Sequence, residues 1–232
     1  MEKIRLTPRL QAAAELVLPG RPCADVGTDH GYLPVWLRQN GVCRAVIASD
    51  IAPGPLSAAR SSAKHYHADG IEFRLCPGLE AIQPEEADTV VIAGMSGETM
   101  ISILEAAGWD WTGKRLVLQP MMKRPELLTW LYEHALHVAE ERFVTEGERM
   151  YWVLAVEAGE MPVPRLAHLW AGFTETEYAM KLAWQLRRAL VGMKKAETPD
   201  EAQIQKTRAV LEDMDDAYGW TDICVFTGES PH

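Results

Sequence analysis

No apolar run in this chain of 232 residues approaches the roughly 18 needed for a membrane-crossing helix, and Met1 to Leu10 carries Lys3, Arg5 and Arg9 without the apolar core of a signal peptide. A cytoplasmic protein with no membrane partner is expected. Cysteine is scarce: Cys23, Cys43, Cys76 and Cys224 show no CxxC or CxxH spacing, and three of them sit in or beside apolar runs. Reduced, mostly buried thiols are expected, with neither a disulfide framework nor a metal site. Basic residues are in deficit, 23 Lys and Arg against 33 Asp and Glu, so the net charge of −10 repels polyanions and any nucleic-acid site must be a local basic patch. There is no biased tract and no internal repeat, which excludes disordered and fibrous architectures. The length suits one large core plus an appendage.

What is present is alternation. Cys23 to Val26, Ala45 to Ser49, Ile71 to Leu75, Thr89 to Ala93 and Arg115 to Leu118 are apolar or β-branched runs bounded by Gly, Pro, Asp or Asn. Between them Pro34 to Gln39, Pro55 to Tyr66, Glu98 to Ala107 and Pro125 to Leu136 repeat their apolar residues at helical spacing. Strand and helix in turn predict an α/β fold with a parallel sheet covered on both faces. Val138 to Val144 and Met150 to Glu157 then read as a hairpin closing the sheet, with a loop at Thr145 to Arg149. A seven-stranded, Rossmann-like sheet ending in an antiparallel hairpin is the arrangement of S-adenosylmethionine-dependent methyltransferases of class I. Residues 1–160 are therefore expected to form the first domain. Residues 161–220 read as a helical, coiled-coil-like hairpin of two helices, Leu166 to about Gly192 and Pro199 to Ala217, and residues 221–232 as a tail, a short strand or a loose end.

The segment after the first strand, Ala24-Asp-Val-Gly-Thr-Asp-His-Gly-Tyr-Leu-Pro34, is a ligand loop by position. Gly27 permits a sharp turn and close backbone approach, and the following N–H groups point past the strand end. The chain has neither GxGxxG nor GK[ST], so dinucleotide and nucleotide phosphate sites are disfavoured, and with them a nicotinamide oxidoreductase. Asp25 and Asp29 repel phosphate but suit an ammonium; alternatively they only cap a helix and satisfy turn amides. Asp50 ends the second strand, where a carboxylate accepts from both ribose hydroxyls of an adenosine cofactor, or simply starts the turn before Pro53. The small residues of Val91-Ile-Ala-Gly-Met-Ser-Gly97 let a ligand lie on the main chain. The (N/D)PP(Y/F) segment of many amino methyltransferases is missing there, which tells against an exocyclic amine as acceptor.

With Arg9-Leu10, Leu118-Gln-Pro120 and Gly147-Glu-Arg-Met-Tyr151, these segments bring a family into view. Over about residues 5 to 159 the chain resembles the bacterial tRNA (adenine-22, N1)-methyltransferases, the TrmK family, whose members append a helical domain. The resemblance implies methyl transfer from S-adenosyl-L-methionine to N1 of adenine 22 in the D-arm region of tRNA. By matching positions it implies that Asp25, Gly27, Thr28, Asp29 and His30 cradle the methionine end, that Asp50 and Ile51 hold ribose and adenine, that Gly78 and Leu79 flank the adenine, and that Ala93, Gly94 and Met95 floor the site. Pro77 stands where the family commonly has Asn or Asp, and Met121 where it often has Asn.

Adenine N1 keeps an in-plane lone pair, so positioning is expected to dominate over base catalysis. The ring becomes cationic, and Asp29 is the candidate catalytic carboxylate beside it. N1 lies on the pairing edge, so the base must leave its stack; Tyr151, Trp152, His30 and Tyr32 are candidate stacking partners, with packing between sheet and helical appendage the alternative for Trp152. Arg9, Gln119 and Pro120 are expected on the substrate side. Acid-free Trp111 to Pro125, with Lys114, Arg115, Lys123 and Arg124, and acid-free Tyr178 to Ala196, with Lys181, Arg187, Arg188, Lys194 and Lys195, are expected tRNA patches, although a solvated helix face also explains the second. The rival readings are a methyltransferase for another RNA, a protein or a small molecule, and a non-catalytic module that binds S-adenosylmethionine or tRNA. A monomer or weak dimer is expected.

Overall fold

The apolar run Cys23–Val26 becomes β1, buried at every position in the middle of a seven-stranded sheet. The computed structural model describes residues 3–147, 149–174, 176–196 and 198–220. Beside β1 lie β2 (Val46–Asp50) and then β3 (Ile71–Leu75); on its other side come β4 (Thr89–Ser96), β5 (Arg115–Met122), β7 (Arg149–Ala158) and β6 (Leu136–Glu146). The first five run parallel; β7 is antiparallel to both β5 and β6. Parallel strands are buried on both faces and therefore read as continuous apolar runs, which is why Cys23–Val26 and the start of β4 lack polar alternation.

Helices α1 (Pro8–Glu15), α2 (Tyr32–Gln39), α3 (Pro53–His65), α4 (Gly97–Ala107) and α5 (Arg124–Glu133) accompany the sheet. One face packs Ala12, Ala13, Ala14 and Leu16 of the α1 region with Leu33 and Leu37 of α2 over Val46, Val91, Val117 and Val153. Burying a side chain such as Leu16, 1% exposed, is worth about 1.5–3 kcal/mol, so α1 is held by its apolar face. Chain order reverses at β1, with β2 on one side and β4 on the other, and such a switch opens a crevice beyond the carboxyl ends of the strands.

Several boundaries differ from the sequence reading. Helix α5 stops at Glu133 because Ala135 takes a left-handed φ of 51°, and Leu136 already starts β6. The hairpin turn is tighter than expected, with Thr145, Glu146 and Arg149 paired in strands and Gly147 at φ 62°.

The chain divides into two compact units between Met161 and Pro162. Taken by itself, the second contains α6 (Leu166–Ala171), α7 (Thr176–Lys194) and α8 (Glu201–Tyr218), so its first expected helix is broken in two. The break falls at Gly172, φ 85° and ψ −173°, whose carbonyl accepts from the Tyr218 hydroxyl at 3.2 Å. Asp213 of α8 accepts from Ala167 N at 2.8 Å and pairs with Arg165, anchoring the start of α6. Ala167, Ala171, Ala179, Ala183, Val210, Leu211 and Met214 form the core of this unit. Asp200 caps α8 by accepting from Gln203 N at 3.0 Å. The expected tail, 221–232, lies outside the described residues.

Candidate active site

Beyond the carboxyl ends of β1, β2 and β4 lies a cavity of about 660 Å³, in the range usual for small-molecule sites. Its lining includes Asp25, Gly27, Thr28, Asp29, His30, Asp50, Ile51, Gly78, Ala93, Gly94 and Met95, with Thr7, Arg9 and Leu10 contributed from the start of α1.

The loop after β1 is shaped by residues in the left-handed region. Gly27 has φ 73°, and a Cβ there would stand 2.2 Å from Met95 Cε, so the backbone and the Met95 side chain meet only because Gly27 has none. Asp29 takes φ 50°, which Asp tolerates better than most residues. That turn lets Asp29 N donate to Asp50 Oδ2 at 3.3 Å, while Ala52 N donates to Asp50 Oδ1 at 2.9 Å. The Asp50 carboxylate is thereby fixed before any ligand arrives.

Asp25 is only 5% exposed. Burial pushes its carboxyl up to about 6, the nearby Thr28 hydroxyl opposes the rise, and the Asp50 charge adds to it. Thr28 Oγ1 is itself buried with no hydrogen bond of good geometry. A desolvated acid and an unpartnered hydroxyl under one cavity await a polar, cationic ligand. Asp29 differs: its side chain is 70% exposed, 3.7 Å from His30 Nε2, and His30 stacks on Tyr32 with centroids 5.4 Å apart. Arg9 Nη1 donates to Gln119 Oε1 at 2.8 Å, and the guanidinium lies 5.6 Å over the Tyr151 ring.

Residues 6–154 match the family described as "Methyltransferase domain". The tRNA (adenine(22)-N(1))-methyltransferase of Bacillus subtilis (strain 168) is 40% identical over 162 residues, covering 69% of this chain and 68% of the relative. The chain belongs to the tRNA (adenine(22)-N(1))-methyltransferase family. The crystal structure of the B. subtilis m1A22 tRNA methyltransferase TrmK is similar at TM-score 0.80 and 27% identity, over 93% of this chain and 99% of that one. A Streptococcus pneumoniae protein crystallised in complex with S-adenosyl-L-methionine is similar at TM-score 0.78 and 25% identity, over 92% of this chain and 99% of that one. The sheet and its helices are thus a Rossmann-like methyltransferase fold.

On this methyltransferase framework some residues singled out from the sequence stand elsewhere than expected. Leu79 is 3% exposed and packs in the core, leaving Gly78 and Pro77 to line the cavity. Gln119 is fully buried and Pro120 is buried beside it, so neither presents a face to a substrate. Trp152 is fully buried, stacked 5.7 Å from Phe143 and donating to Glu141, which removes it as a base-stacking partner. Tyr151 lies under Arg9 and outside the cavity lining.

The first basic stretch does not form a patch. Lys114 Nζ donates to the Pro84 and Ala87 carbonyls, Arg115 pairs with Glu157 at 2.5 Å, Lys123 stands between Glu98 at 3.1 Å and Glu126 at 3.4 Å, and burial lowers the Arg124 pKa. In the second stretch Arg187 forms a bidentate pair with Asp215 at 2.6 and 2.8 Å, and Lys181 pairs with Glu177. Arg188 lies 4.6 Å over the Trp184 ring and remains exposed, as do Lys194 and Lys195. Glu126 and Glu177 directly flank the two stretches, whereas Glu157 and Asp215, which pair with Arg115 and Arg187, are distant in sequence and meet them only in the fold. Thr7, Leu10, Cys76, Thr99 and Ile103 also line the cavity without having been expected there. The pair Thr7-Pro8, a cap residue followed by Pro at the first helical position, is the signal that locates α1.

Proposed function

We propose that this protein transfers a methyl group from S-adenosyl-L-methionine to N1 of adenine 22 of tRNA. The observation that carries the reading is the cavity at the switch point, where a buried Asp25 and a prefixed Asp50 stand at the ends of adjacent strands within a methyltransferase fold. The residues fit such a donor. Asp50, with both oxygens already oriented by backbone N–H groups, would accept from two ribose hydroxyls, and Ile51, 72% exposed, would lie against the adenine. Gly78, at φ 53°, leaves room on the other side, since a Cβ there would stand 3.1 Å from Ile103. Asp25 would receive the ammonium and Thr28 Oγ1 would find its missing partner.

When bound, the donor supplies an electrophilic methyl on a sulfonium. This chain's work is to align the adenine lone pair with that methyl and to exclude alternatives. In the transfer a bond forms from N1 to the methyl carbon as the carbon–sulfur bond breaks; the positive charge passes from sulfur to the adenine ring. Asp29, exposed at the cavity and held by its left-handed backbone, is the carboxylate placed to stabilise the ring charge. The stacked His30 and Tyr32, the latter 41% exposed, offer an aromatic surface to an unstacked base. In the second unit, the exposed Arg188, Lys194 and Lys195 would meet tRNA phosphate. With tRNA as substrate, the protein would act in the cytoplasm, as a monomer or weak dimer.

Incubation with isotopically labelled donor and unmodified tRNA, followed by nucleoside mapping, tests the reading. Label at N1 of adenine 22 is expected; label elsewhere in the RNA, or in protein or metabolites only, would replace the proposed acceptor.

A further inference from the structure

Gln119 spends its whole side chain on neighbours. Its Oε1 accepts from Arg9 Nη1 at 2.8 Å and from Gly94 N at 3.1 Å, and its Nε2 donates to the Pro120 carbonyl at 3.1 Å. Because Gly94 N offers only a donor and Pro120 O only an acceptor, the amide has one possible orientation, with its oxygen toward Arg9. Gly94 completes the arrangement: its φ of 83° aims the N–H at Gln119, and a Cβ there would stand 3.1 Å from Arg9 Nη1. The guanidinium is clamped at the end of the cavity where Met95, next to Gly94, meets Gly27.

Charge gives the clamp a purpose. Among the described lining residues Arg9 is the one arginine or lysine, facing a cavity that also holds Asp25, Asp29 and Asp50. An RNA phosphate entering there meets three carboxylates; a zwitterion does not suffer that repulsion, because its cationic groups face the acids and its carboxylate faces the cation. Arg9 is also not consumed by those acids, since its partners are the neutral Gln119 amide and the Tyr151 ring. We propose that Gln119 is a positioning residue for Arg9, and that the guanidinium so held receives the α-carboxylate of the methyl donor. This rests on the donor reading above and moves Arg9 from the RNA to the donor. The remaining guanidinium N–H groups supply the charge-assisted hydrogen bonds.

The test compares S-adenosyl-L-homocysteine with its decarboxylated analogue, which keeps the ammonium, by calorimetry on the full chain. The unaltered protein is expected to bind the carboxylate-bearing ligand about ten- to hundredfold more tightly, the range for hydrogen bonds to charged groups. Arg9→Met is expected to erase the preference while leaving affinity for the decarboxylated analogue unchanged. Gln119→Met is expected to lose most of the preference in the same way, whereas mere loosening of the fold weakens both ligands equally. Equal binding of the two ligands by the unaltered protein overturns the proposal and returns Arg9 to the RNA; that comparison needs no folded variant. A preference retained in Arg9→Met overturns the Arg9 assignment, and one retained in Gln119→Met overturns the positioning role. Failure of the unaltered protein to bind either ligand overturns the donor reading itself.

Discussion

Replacing Asp25 by Asn should stabilise the unliganded protein while disabling its ligand site. Asp25 is buried at 5% exposure, and its carboxyl rises from 3.8 to about 6. A carboxyl whose folded pKa is raised binds its proton more tightly when folded. Its stabilising contribution is therefore complete below the unfolded value and is lost as pH climbs through about 6. About two pKa units at roughly 1.4 kcal/mol each give a cost of about 3 kcal/mol for the ionised form, carried at neutral pH. Asn keeps the shape without the charge, so its advantage over Asp should be near zero at pH about 4, grow through pH about 6, and level off near 3 kcal/mol above pH about 7, reduced by any amide hydrogen bond left unmade. Urea unfolding of both proteins without ligand, repeated across that pH range, measures the difference directly. The same variant should bind S-adenosyl-L-homocysteine at least tenfold more weakly, because a charge-assisted bond to the ammonium is gone. A stability difference that does not change with pH, or an Asn variant less stable than the parent at pH 8, would refute the argument.

Donor affinity should itself rise with pH between about 5 and 7 as Asp25 ionises, and calorimetry at pH 5.5 in buffers of different ionisation heat should register proton release on binding; pH-independent affinity contradicts the Asp25–ammonium pairing. Gly27→Ala introduces a Cβ 2.2 Å from Met95 Cε at φ 73°, costing roughly 1–2 kcal/mol in strain and weakening donor binding, and Met95→Ala in the same chain should restore part of the affinity. Arg187→Met should destabilise the second unit by about 1 kcal/mol, since it breaks the pair with Asp215, yet leave the salt dependence of tRNA binding unchanged. Lys194→Gln with Lys195→Gln should reduce that salt slope by about one to two, and an unaltered slope removes these lysines from the RNA interface.

The central strand Cys23–Val26 was legible because a parallel strand buried on both faces must be an apolar run, and the edge strand Ile71–Leu75 was legible from its β-favouring residues bounded by Gly70 and Pro77. The ligand loop was legible for a related reason: Gly27, Asp29 and Asp50 are residue types that left-handed backbone and fixed carboxylates require. Helix α1 is announced only by Thr7-Pro8, because its apolar face is largely Ala12 to Ala14, which carries little hydropathy contrast. The stretch Leu166 to about Gly192 reads as one helix because Leu166, Leu169 and Trp170 keep helical spacing with Tyr178 and Leu182 across the break at Gly172, where the Tyr218 hydroxyl donates to the carbonyl, a contact distant in sequence. The pairing of Arg115 and Arg187 was hidden for the same reason, as they find Glu157 and Asp215 only in three dimensions, while Arg188, Lys194 and Lys195 of the second stretch stay exposed. Gln119, expected on the substrate side, is fully buried, and that burial is a property of the fold that residue type and motif do not carry.

The most direct measurement uses tRNA in which adenine 22 is replaced by 1-deazaadenine, a ring of nearly the same shape with no lone pair at position 1. Bound and presented to the methyltransferase with labelled donor, this tRNA should compete with the natural substrate at similar affinity and accept no methyl group. Transfer of label to the substituted nucleotide would contradict in-line attack by N1 and with it the account of the site.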